Sequence, residues 1–274
     1  FLLEAIGNAK TVYNNNSSRF GKWMAVHFDL GDKIQACKIR SYLLEQSRVV
    51  GPSPGERNYH IFYYLLKGST AAEKTKYGLL DGVSKYVYTK GGESDSPGTD
   101  DLQGWIDLKA KLNLLGLSEE EVDGMLQAVC TVLNMGNVEF QEKGAEVFEV
   151  KTGDLTGQIA KEIQVPKGMF DSKLTTRTMQ TGRGSTYTIN LNGDQCADTR
   201  DALAKSVYAG MFDWIIAKLN DTLGGNDVPE TDLRFIGFLD IFGFENFAEN
   251  GFEQLCINFT NERLQSHFTD ELIK

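Results

Sequence analysis

Apolar and polar residues recur along the chain with two periods, which predict most of its elements. A period of two runs over residues 23–29 and again over 34–44, with a turn at 30–33 between them. Successive strand residues point to opposite faces of a sheet, so this pattern predicts a β-hairpin. Short extended segments are also predicted over residues 138–150, and a second hairpin over 175–192.

Elsewhere apolar residues recur every three or four positions, which is typical of an amphipathic helix. Residues 56–68 show this period and end in glycine, and residues 102–134 show it over a longer stretch. Within the longer stretch, Ser118-Glu-Glu-Glu121 has the spacing of a capping box. Residues 201–219 predict a long helix, whereas the polar residues 90–101 predict a loop.

Composition indicates a folded, acidic chain. Its 274 residues are 41% hydrophobic, and 28 basic against 38 acidic side chains give a net charge of −10. This charge argues against nucleic acid or an anionic membrane as the main partner. No apolar run reaches the ~18 residues that a transmembrane segment needs. Four widely spaced cysteines favour reduced thiols; they are Cys37, Cys130, Cys196 and Cys256.

Both ends of the chain lie inside apolar, helix-like patterns. Phe1 begins an apolar run, and the helical pattern that reaches Lys274 contains no stop signal. Free domain ends are usually polar. We therefore expect the chain to be a fragment cut from a larger protein.

Two stretches carry residues suited to phosphate chemistry. The first, Asn14-Asn-Asn-Ser-Ser-Arg-Phe-Gly-Lys22, places amides, two hydroxyls and an arginine just before a predicted strand. Hydroxyl oxygens suit Mg²⁺, and amide and guanidinium donors suit phosphate oxygens. The alternative interpretation is a polar surface loop built from Asx and Ser turns.

The second stretch follows the apolar run at residues 234–239, which ends in Asp240. Open α/β sheets place acidic residues that hold Mg²⁺ or its waters at the ends of strands. Gly243 has no Cβ to keep a phosphate from its N–H, and a pair between Glu245 and Arg19 would close a pocket around water. The alternative is a buried strand that leaves through a glycine turn.

A phosphate-cradling loop is missing from this sequence. The pattern Gly-x-x-x-x-Gly-Lys-[Ser/Thr] does not occur, since Gly21-Lys22 is followed by Trp23. A nucleotide site made only of this chain would therefore lack its phosphate cradle.

The two stretches resemble switch I and switch II of a myosin motor. We call residues 14–22 the switch I-like segment and residues 240–245, Asp-Ile-Phe-Gly-Phe-Glu, the switch II-like segment. The likeness covers the whole chain, which is identified as a myosin motor domain fragment, class I-like, running from switch I through switch II into the relay helix. Further family-like stretches are 2–11, 42–49, 55–62, 201–205 and 252–259.

The resemblance implies an α/β fold: an incomplete P-loop NTPase-type myosin motor with mixed central-sheet strands and a mostly helical upper 50 kDa region. Residues 1–22 would form a helix end and switch I. Residues 23–234 would form the transducer hairpin and the upper 50 kDa region, with an actin-contacting loop near 165–190. Residues 235–274 would form the switch II strand and the start of the relay helix and lower 50 kDa region.

The predicted relay helix carries apolar residues at i, i+3, i+4 and i+7, so one apolar face is expected; these residues are Phe252, Leu255, Cys256 and Phe259. In the family this helix couples switch II to the lever. The same pattern also fits an ordinary core helix.

ATP and Mg²⁺ are the ligands that the resemblance implies. By family role, Ser18 supplies a hydroxyl to Mg²⁺ and Asp240 holds the metal through water. Asn14 contacts phosphate oxygens, with Ser17 and Arg19 also in the nucleotide site.

The catalytic roles carry over in the same way. Ser17 would help to place the attacking water, and the Gly243 N–H would sense the γ-phosphate. Arg19 and Glu245 would form the salt bridge that closes the pocket. The implied reaction is in-line attack of water on the γ-phosphate of MgATP.

A regulatory site is implied at Ser185. In myosins the position sixteen residues before the aspartate that matches Asp201 carries an acid or a phosphorylatable hydroxyl. Arg183 suits a basophilic kinase, and a phosphate would add about −1.5 to −2 charge. This resembles the regulated class I myosins of amoeboid or lower eukaryotes; an ordinary polar hairpin tip is the alternative.

The implied function is an actin-based motor that hydrolyses MgATP and couples switch closure to cleft and lever movement, located in the cytoplasm on the actin cytoskeleton. Its partner would be the actin filament, with light chains or calmodulin bound only outside this chain. The fragment alone is expected to be inactive. The main alternative is a non-catalytic actin-binding scaffold with a degenerate motor fold; a GTPase of separate lineage is a remote third.

Overall fold

The computed structural model describes residues 1–144, 147–180, 182, 186–227, 234–246 and 250–273. The helices in these ranges are α1 (Leu2–Gly7), α2 (His60–Gly68), α3 (Ala71–Lys76), α4 (Val87–Lys90), α5 (Asp101–Leu114), α6 (Glu119–Gly136), α7 (Gly153–Glu162), α8 (Lys167–Thr175), α9 (Gly193–Thr222) and α10 (Phe252–Ile273). The strands are β1 (Asn8–Ala9), β2 (Ser17–Ser18), β3 (Gly21–Phe28), β4 (Ile34–Tyr42), β5 (Phe140–Gly144), β6 (Val147–Val150), β7 (Thr176–Gln180), β8 (Thr186–Asn190) and β9 (Arg234–Asp240). Two 3₁₀ turns cover Gln46–Val50 and Val83–Lys85.

The central sheet brings the two switch-like segments together. Strand β3 lies between β4 and β9 and pairs antiparallel with both, with Lys22 opposite Asp240. The switch I-like segment runs directly into β3, and the switch II-like segment begins at the last residue of β9. Because antiparallel pairing sets the start of one strand beside the end of the other, both segments lie at the same end of the sheet.

The predicted hairpins are confirmed. Strands β3 and β4 form the first, and β7 and β8 form the second. The short extended segments predicted over residues 138–150 are β5 and β6, which pair with each other. Arg183 and Ser185, which come between β7 and β8 in the sequence, lie outside the described residues. The central sheet was expected to be mixed; among the described strands every pairing is antiparallel, apart from an isolated parallel bridge between Cys37 and Gly224. Parallel neighbours in this sheet therefore remain a prediction.

A helical body packs beside the sheet. Its core is contributed mainly by α1, α2, α5, α6 and α9. Gly68 lies against the Trp105 side chain, and a Cβ at this glycine would stand 2.3 Å from the Trp105 Cβ, so only glycine allows α2 and α5 to approach this closely. Tyr208 of α9 donates its hydroxyl to the Ile6 carbonyl at 2.7 Å, which links α9 to α1. Within the described ranges no helix is long and apolar enough to cross a membrane.

Two predicted helices have different bounds in the structure. Helix α2 begins at His60 rather than at residue 56 because the preceding residues bind elsewhere: Asn58 donates to the carbonyls of Val49 and Tyr88, both at 2.9 Å. Helix α9 begins at Gly193, eight residues before the predicted start, where Asn192 and Gln195 form a capping box. Helices α5 and α6 are confirmed, with the capping box at Ser118.

The apolar face predicted for α10 is largely exposed in this chain, unlike that of an ordinary core helix. Phe252, Leu255 and Phe259 are 79%, 62% and 63% exposed, and Cys256 is half-buried. The face that packs against the rest of the chain instead carries Gln254 and Ile257. The helix itself is confirmed, and the face that packs against the chain combines a polar residue, Gln254, with the apolar Ile257.

Candidate active site

Arg19 and Glu245 join the two switch-like segments by a bidentate ion pair. The Arg19 Nη1 and Nη2 atoms donate to Glu245 Oε1 and Oε2 at 2.8 and 3.0 Å. The Arg19 side chain is 1% exposed and that of Glu245 is 10% exposed. The predicted ion pair is therefore present. Two parallel charge-assisted hydrogen bonds fix both distance and orientation, so the segments are held in one relative position.

A buried chain of alternating charges supports Arg19 from behind. Arg19 Nε donates to Glu45 Oε2 at 2.7 Å, Glu45 also binds Arg48, and Arg48 continues to Glu56 at 2.7 Å. Burial alone would raise the pKa of Glu45, but Arg48 and Arg19 hold that pKa below its usual value. Burial likewise opposes the charge of Arg48, while Glu45 raises the Arg48 pKa. Each charge thus has an opposite neighbour, as a buried charge requires.

The switch I-like segment presents its polar groups from a short β-bridge. Ser17 and Ser18 form β2, opposite Ala9 and Asn8 of β1. Ser17 Oγ accepts from Arg19 Nη1 at 3.1 Å, which sets this hydroxyl beside the ion pair. The half-buried Ser18 lies on the other side of the strand.

Asn14 stands in an Asx turn at the start of this segment. Its Oδ1 accepts from the Asn16 N–H at 2.9 Å, and its carbonyl accepts from the Thr11 N–H at 2.8 Å. The side chain is exposed, so its amide nitrogen can donate toward a ligand. The structure therefore also contains the turn named in the alternative interpretation, and the turn is what orients Asn14.

Asn16 is anchored by the helical body. Its Oδ1 lies 3.0 Å from His60 Nε2 and accepts from Asn8 Nδ2 at 3.2 Å. An amide oxygen only accepts, so His60 carries its proton on Nε2. Burial, together with the charge of Arg57, lowers the pKa of His60 to about 4, which keeps this imidazole neutral near pH 7.

Asp240 ends β9 as predicted and has an ion-pair partner that was not predicted. Its Oδ2 lies 3.2 Å from Lys22 Nζ, and its side chain is 51% exposed. Ser18 and Asp240 together offer one hydroxyl and one carboxylate. Mg²⁺ prefers oxygen ligands and keeps several waters, binding through one or two carboxylates and substrate phosphates. The described residues contain no group of three or more His, Cys, Asp or Glu side chains placed to hold a metal.

Gly243 faces open space. A Cβ built at this position would meet no atom of the described residues within 4 Å, and its φ is not in the left-handed region. Neither backbone strain nor packing against the described part of the chain therefore requires a glycine here. The feature that remains is an N–H which a bound group can approach closely.

Helix α10 holds the switch II-like segment through side-chain amides. Asn258 accepts from the Glu245 N–H at 3.0 Å and donates to the Glu245 carbonyl at 2.8 Å. Asn261 donates to the Phe242 carbonyl at 3.0 Å, and Gln254 approaches the Glu245 carbonyl at 3.5 Å. These three residues lie at i, i+4 and i+7 on α10, and this polar row was the signal in the sequence for the contact face.

Other residues that support Arg19 and Asp240 lie in stretches that resemble the family, but the sequence predicted no role for them. Glu45 and Arg48 belong to the stretch 42–49, and Glu56 belongs to 55–62. Lys22 closes the switch I-like segment itself. Only the three-dimensional pairing shows that these side chains reach Arg19 and Asp240.

Comparisons with known proteins identify the family of the chain. A family model described as "Myosin head (motor domain)" matches residues 1–274. Myosin-1 of Emericella nidulans is 40% identical over 278 residues, which cover 100% of this chain and 22% of that protein. Myosin IB heavy chain of Dictyostelium discoideum is 40% identical over 283 residues, covering 100% of this chain and 25% of that protein.

Unconventional myosin heavy chain 6 of Caenorhabditis elegans is 39% identical over 276 residues, covering 100% of this chain and 13% of that protein. The chain spans about a fifth of the length of several curated relatives. The names Myosin-1 and Myosin IB agree with the class I-like resemblance. Because the family model and these relatives match from the first residue to the last, the chain belongs to the myosin head (motor domain) family.

Proposed function

We propose that this chain is the part of an actin-based motor that closes around the γ-phosphate of MgATP during hydrolysis. The observation that carries the proposal is the bidentate ion pair between Arg19 and Glu245, which joins two segments 226 residues apart. Its buried setting excludes water from one side of the site. Such exclusion strengthens electrostatic interactions and restricts the reaction to an ordered water.

The residues of this chain act by positioning. Asn14 donates to phosphate oxygens, and the Gly243 N–H approaches the γ-phosphate. The Ser17 hydroxyl, oriented by Arg19, places a water in line with the phosphorus. The water oxygen bonds to phosphorus as the bond from phosphorus to the β-phosphate oxygen breaks, and ADP leaves. One proton of the water stays on the phosphate product and the other is released to solvent. Catalysis is mostly orientation and electrostatic stabilisation, as is usual in phosphoryl transfer.

Ser18 and the Asp240 carboxylate, through water, would hold Mg²⁺ in this reaction. When bound, the ion neutralises charge that develops on the phosphate oxygens. Lys22 competes for the same carboxylate, since its Nζ already lies 3.2 Å from Asp240 Oδ2.

Coupling to movement runs through α10. Asn258 and Asn261 bind the backbone of Glu245 and Phe242, so a shift of the switch II-like segment displaces the helix start. We assign α10 the role of the relay helix on this contact. The actin filament is the partner and the cytoplasmic actin cytoskeleton the location that this function requires.

The test is ATP turnover by the complete protein, with and without filamentous actin. We expect the complete protein to hydrolyse MgATP and actin to accelerate this hydrolysis. The hydrolysis should be lost in Glu245→Gln, because this variant removes the carboxylate charge that pairs with Arg19. The 274-residue chain alone should turn over no ATP, since it lacks a phosphate cradle. Actin binding by a complete protein that hydrolyses no ATP would instead support the scaffold alternative.

Regulation at Ser185 is a separate part of the proposal. It is supported by the position of Ser185 relative to Asp201 and by Arg183 two residues earlier. Treatment of the complete protein with a basophilic kinase should raise actin-activated turnover, and Ser185→Ala should abolish that increase. An equal increase in Ser185→Ala would disprove this assignment.

A further inference from the structure

Tyr13 forms a second connection between the two switch-like segments, outside the ion pair. Its hydroxyl donates to the Asn246 carbonyl at 2.6 Å. Tyr13 immediately precedes the switch I-like segment, and Asn246 immediately follows the switch II-like segment. The segments are therefore attached at two points: Arg19 to Glu245 within them, and Tyr13 to Asn246 at their margins.

The residues just before Tyr13 are bound to the loop that precedes α2. The neighbouring Val12 N–H donates to Glu56 Oε1 at 3.3 Å, and Lys10 Nζ donates to the Gly55 carbonyl at 2.6 Å. Glu56 is also the last member of the charge chain that begins at Arg19. Both attachments are therefore supported by Glu56. The contacts form a closed ring, which runs from Tyr13 to Glu56, along the charge chain to Arg19, and through Glu245 back to Asn246.

The other end of the bond lies at Asn246, next to the residue whose backbone α10 binds. Asn258 holds both backbone groups of Glu245, and Asn250 donates to the Asn246 side chain at 3.1 Å. Tyr13 therefore acts on a carbonyl directly beside the residue that α10 fixes. A separation of the two segments would break this bond together with the ion pair.

We propose that Tyr13 is a positioning residue that stabilises the closed arrangement of the two segments; its catalytic consequence rests on the proposed function. Tyr13 is 65% exposed, so its hydroxyl adds little to core packing. A neutral hydrogen bond at such a place stabilises an arrangement by a modest factor. The bond is therefore suited to a contact that forms and breaks in every cycle.

The test uses Tyr13→Phe, which removes only the hydroxyl, in the complete protein. Tyr77→Phe is the matched control, because Tyr77 donates its hydroxyl to Asp123 at 2.8 Å between α3 and α6, away from the site. Amide exchange of peptides covering residues 241–246 should rise about threefold in Tyr13→Phe without nucleotide, and not in Tyr77→Phe. The single-turnover rate of ATP cleavage should fall by about the same factor, with ATP affinity unchanged, because other residues contact the phosphates.

The two measurements separate the possible failures. Unchanged amide exchange in Tyr13→Phe would overturn the second connection. Faster exchange with an unchanged cleavage rate would overturn the positioning role. A wild-type protein that cleaves no ATP would contradict the proposed function and with it the catalytic role of Tyr13, while amide exchange would still decide whether the connection holds the segments together.

Discussion

Asn258 binds the backbone of Glu245 on both sides, accepting from its N–H at 3.0 Å and donating to its carbonyl at 2.8 Å. The side chain of the same Glu245 binds Arg19. A single residue is thus held by α10 through its backbone and by the switch I-like segment through its carboxylate. Glu245 therefore provides one direct path by which movement of either neighbour can reach the other.

Asn258→Asp tests this link with little change of shape. The aspartate keeps an acceptor for the Glu245 N–H but replaces the donor by an oxygen that repels the Glu245 carbonyl. We expect this contact to weaken by about 1–3 kcal/mol, with faster amide exchange at the start of α10 and reduced ATP turnover. Asn113→Asp, on the exposed surface of α5, is the control. Equal behaviour of the two variants would show that the link is unimportant.

Arg19→Lys should lower ATP turnover and stability far more than an arginine-to-lysine substitution in an exposed ion pair. One ammonium cannot reproduce the fork that binds Glu45 through Nε and Glu245 through both Nη atoms. We expect ATP turnover to fall about 10²-fold through misplacement of the segments, with stability lower by about 1–3 kcal/mol.

Arg234→Lys is the control for this variant, because Arg234 forms an exposed ion pair with Asp32 at 2.9 Å. Exposed pairs contribute about 0–1 kcal/mol, so this variant should match the wild type in turnover and in urea midpoint. Wild-type ATP turnover in Arg19→Lys would show that the bidentate geometry is not needed for hydrolysis.

The segments that carry the site could be predicted from the sequence because their functional residues are clustered along the chain. Arg19 and Glu245 each lie in a short stretch of unusual composition, and the pair itself was predicted. The support of Arg19 by Glu45 and Glu56 could not be predicted in this way. Charged residues separated by loops become neighbours only once β4 and α2 are folded, and a single sequence contains no distance information for them.

The α10 result has a different physical origin. Helical period predicted the element correctly, but period alone cannot decide which face contacts the chain. Here the contact is made to loop backbone, whose N–H and carbonyl groups need polar partners. Asn258 and Asn261 therefore face inward, and Phe252 and Phe259 remain exposed in this chain.

Lys22→Met should lower the Mg²⁺ concentration that ATP turnover requires. Lys22 Nζ lies 3.2 Å from the Asp240 carboxylate, and removal of this charge leaves the carboxylate more attractive to a cation. Since the pair is half-exposed, we expect the Mg²⁺ concentration for half-maximal ATP turnover to fall only about two- to fivefold. Lys22→Arg keeps the charge and should match the wild type. An unchanged or higher Mg²⁺ requirement in Lys22→Met would contradict competition at Asp240.

His60 should make folding stability depend on pH between about 6.5 and about 4. Its pKa is about 4 in the folded chain against 6.5 for an ordinary histidine. Between these two pH values the unfolded chain binds more protons than the folded chain. The stability that the neutral, buried His60 contributes is therefore complete above pH 6.5 and is lost as the pH falls toward 4. This pKa shift corresponds to about 3–4 kcal/mol of stability at most.

The variant His60→Gln removes this titration but retains an amide donor for Asn16. Urea unfolding of this variant should show a flatter dependence of the free energy of unfolding on pH across that interval. His267→Gln, on the exposed side of α10, should retain the wild-type slope. A wild-type slope in His60→Gln would mean that His60 is not buried as a neutral group.

Gly243→Ala should separate stability from activity. The added methyl meets no atom of the described residues within 4 Å, so the free energy of unfolding should change by less than about 0.5 kcal/mol. A γ-phosphate that contacts the Gly243 N–H would collide with that methyl, so ATP turnover should be lost even though the protein remains folded. Gly251→Ala also meets open space, just before α10, and should leave both quantities unchanged. Normal turnover by Gly243→Ala would show that no phosphate approaches this position, whereas lower stability with normal turnover would show that Gly243 serves the fold.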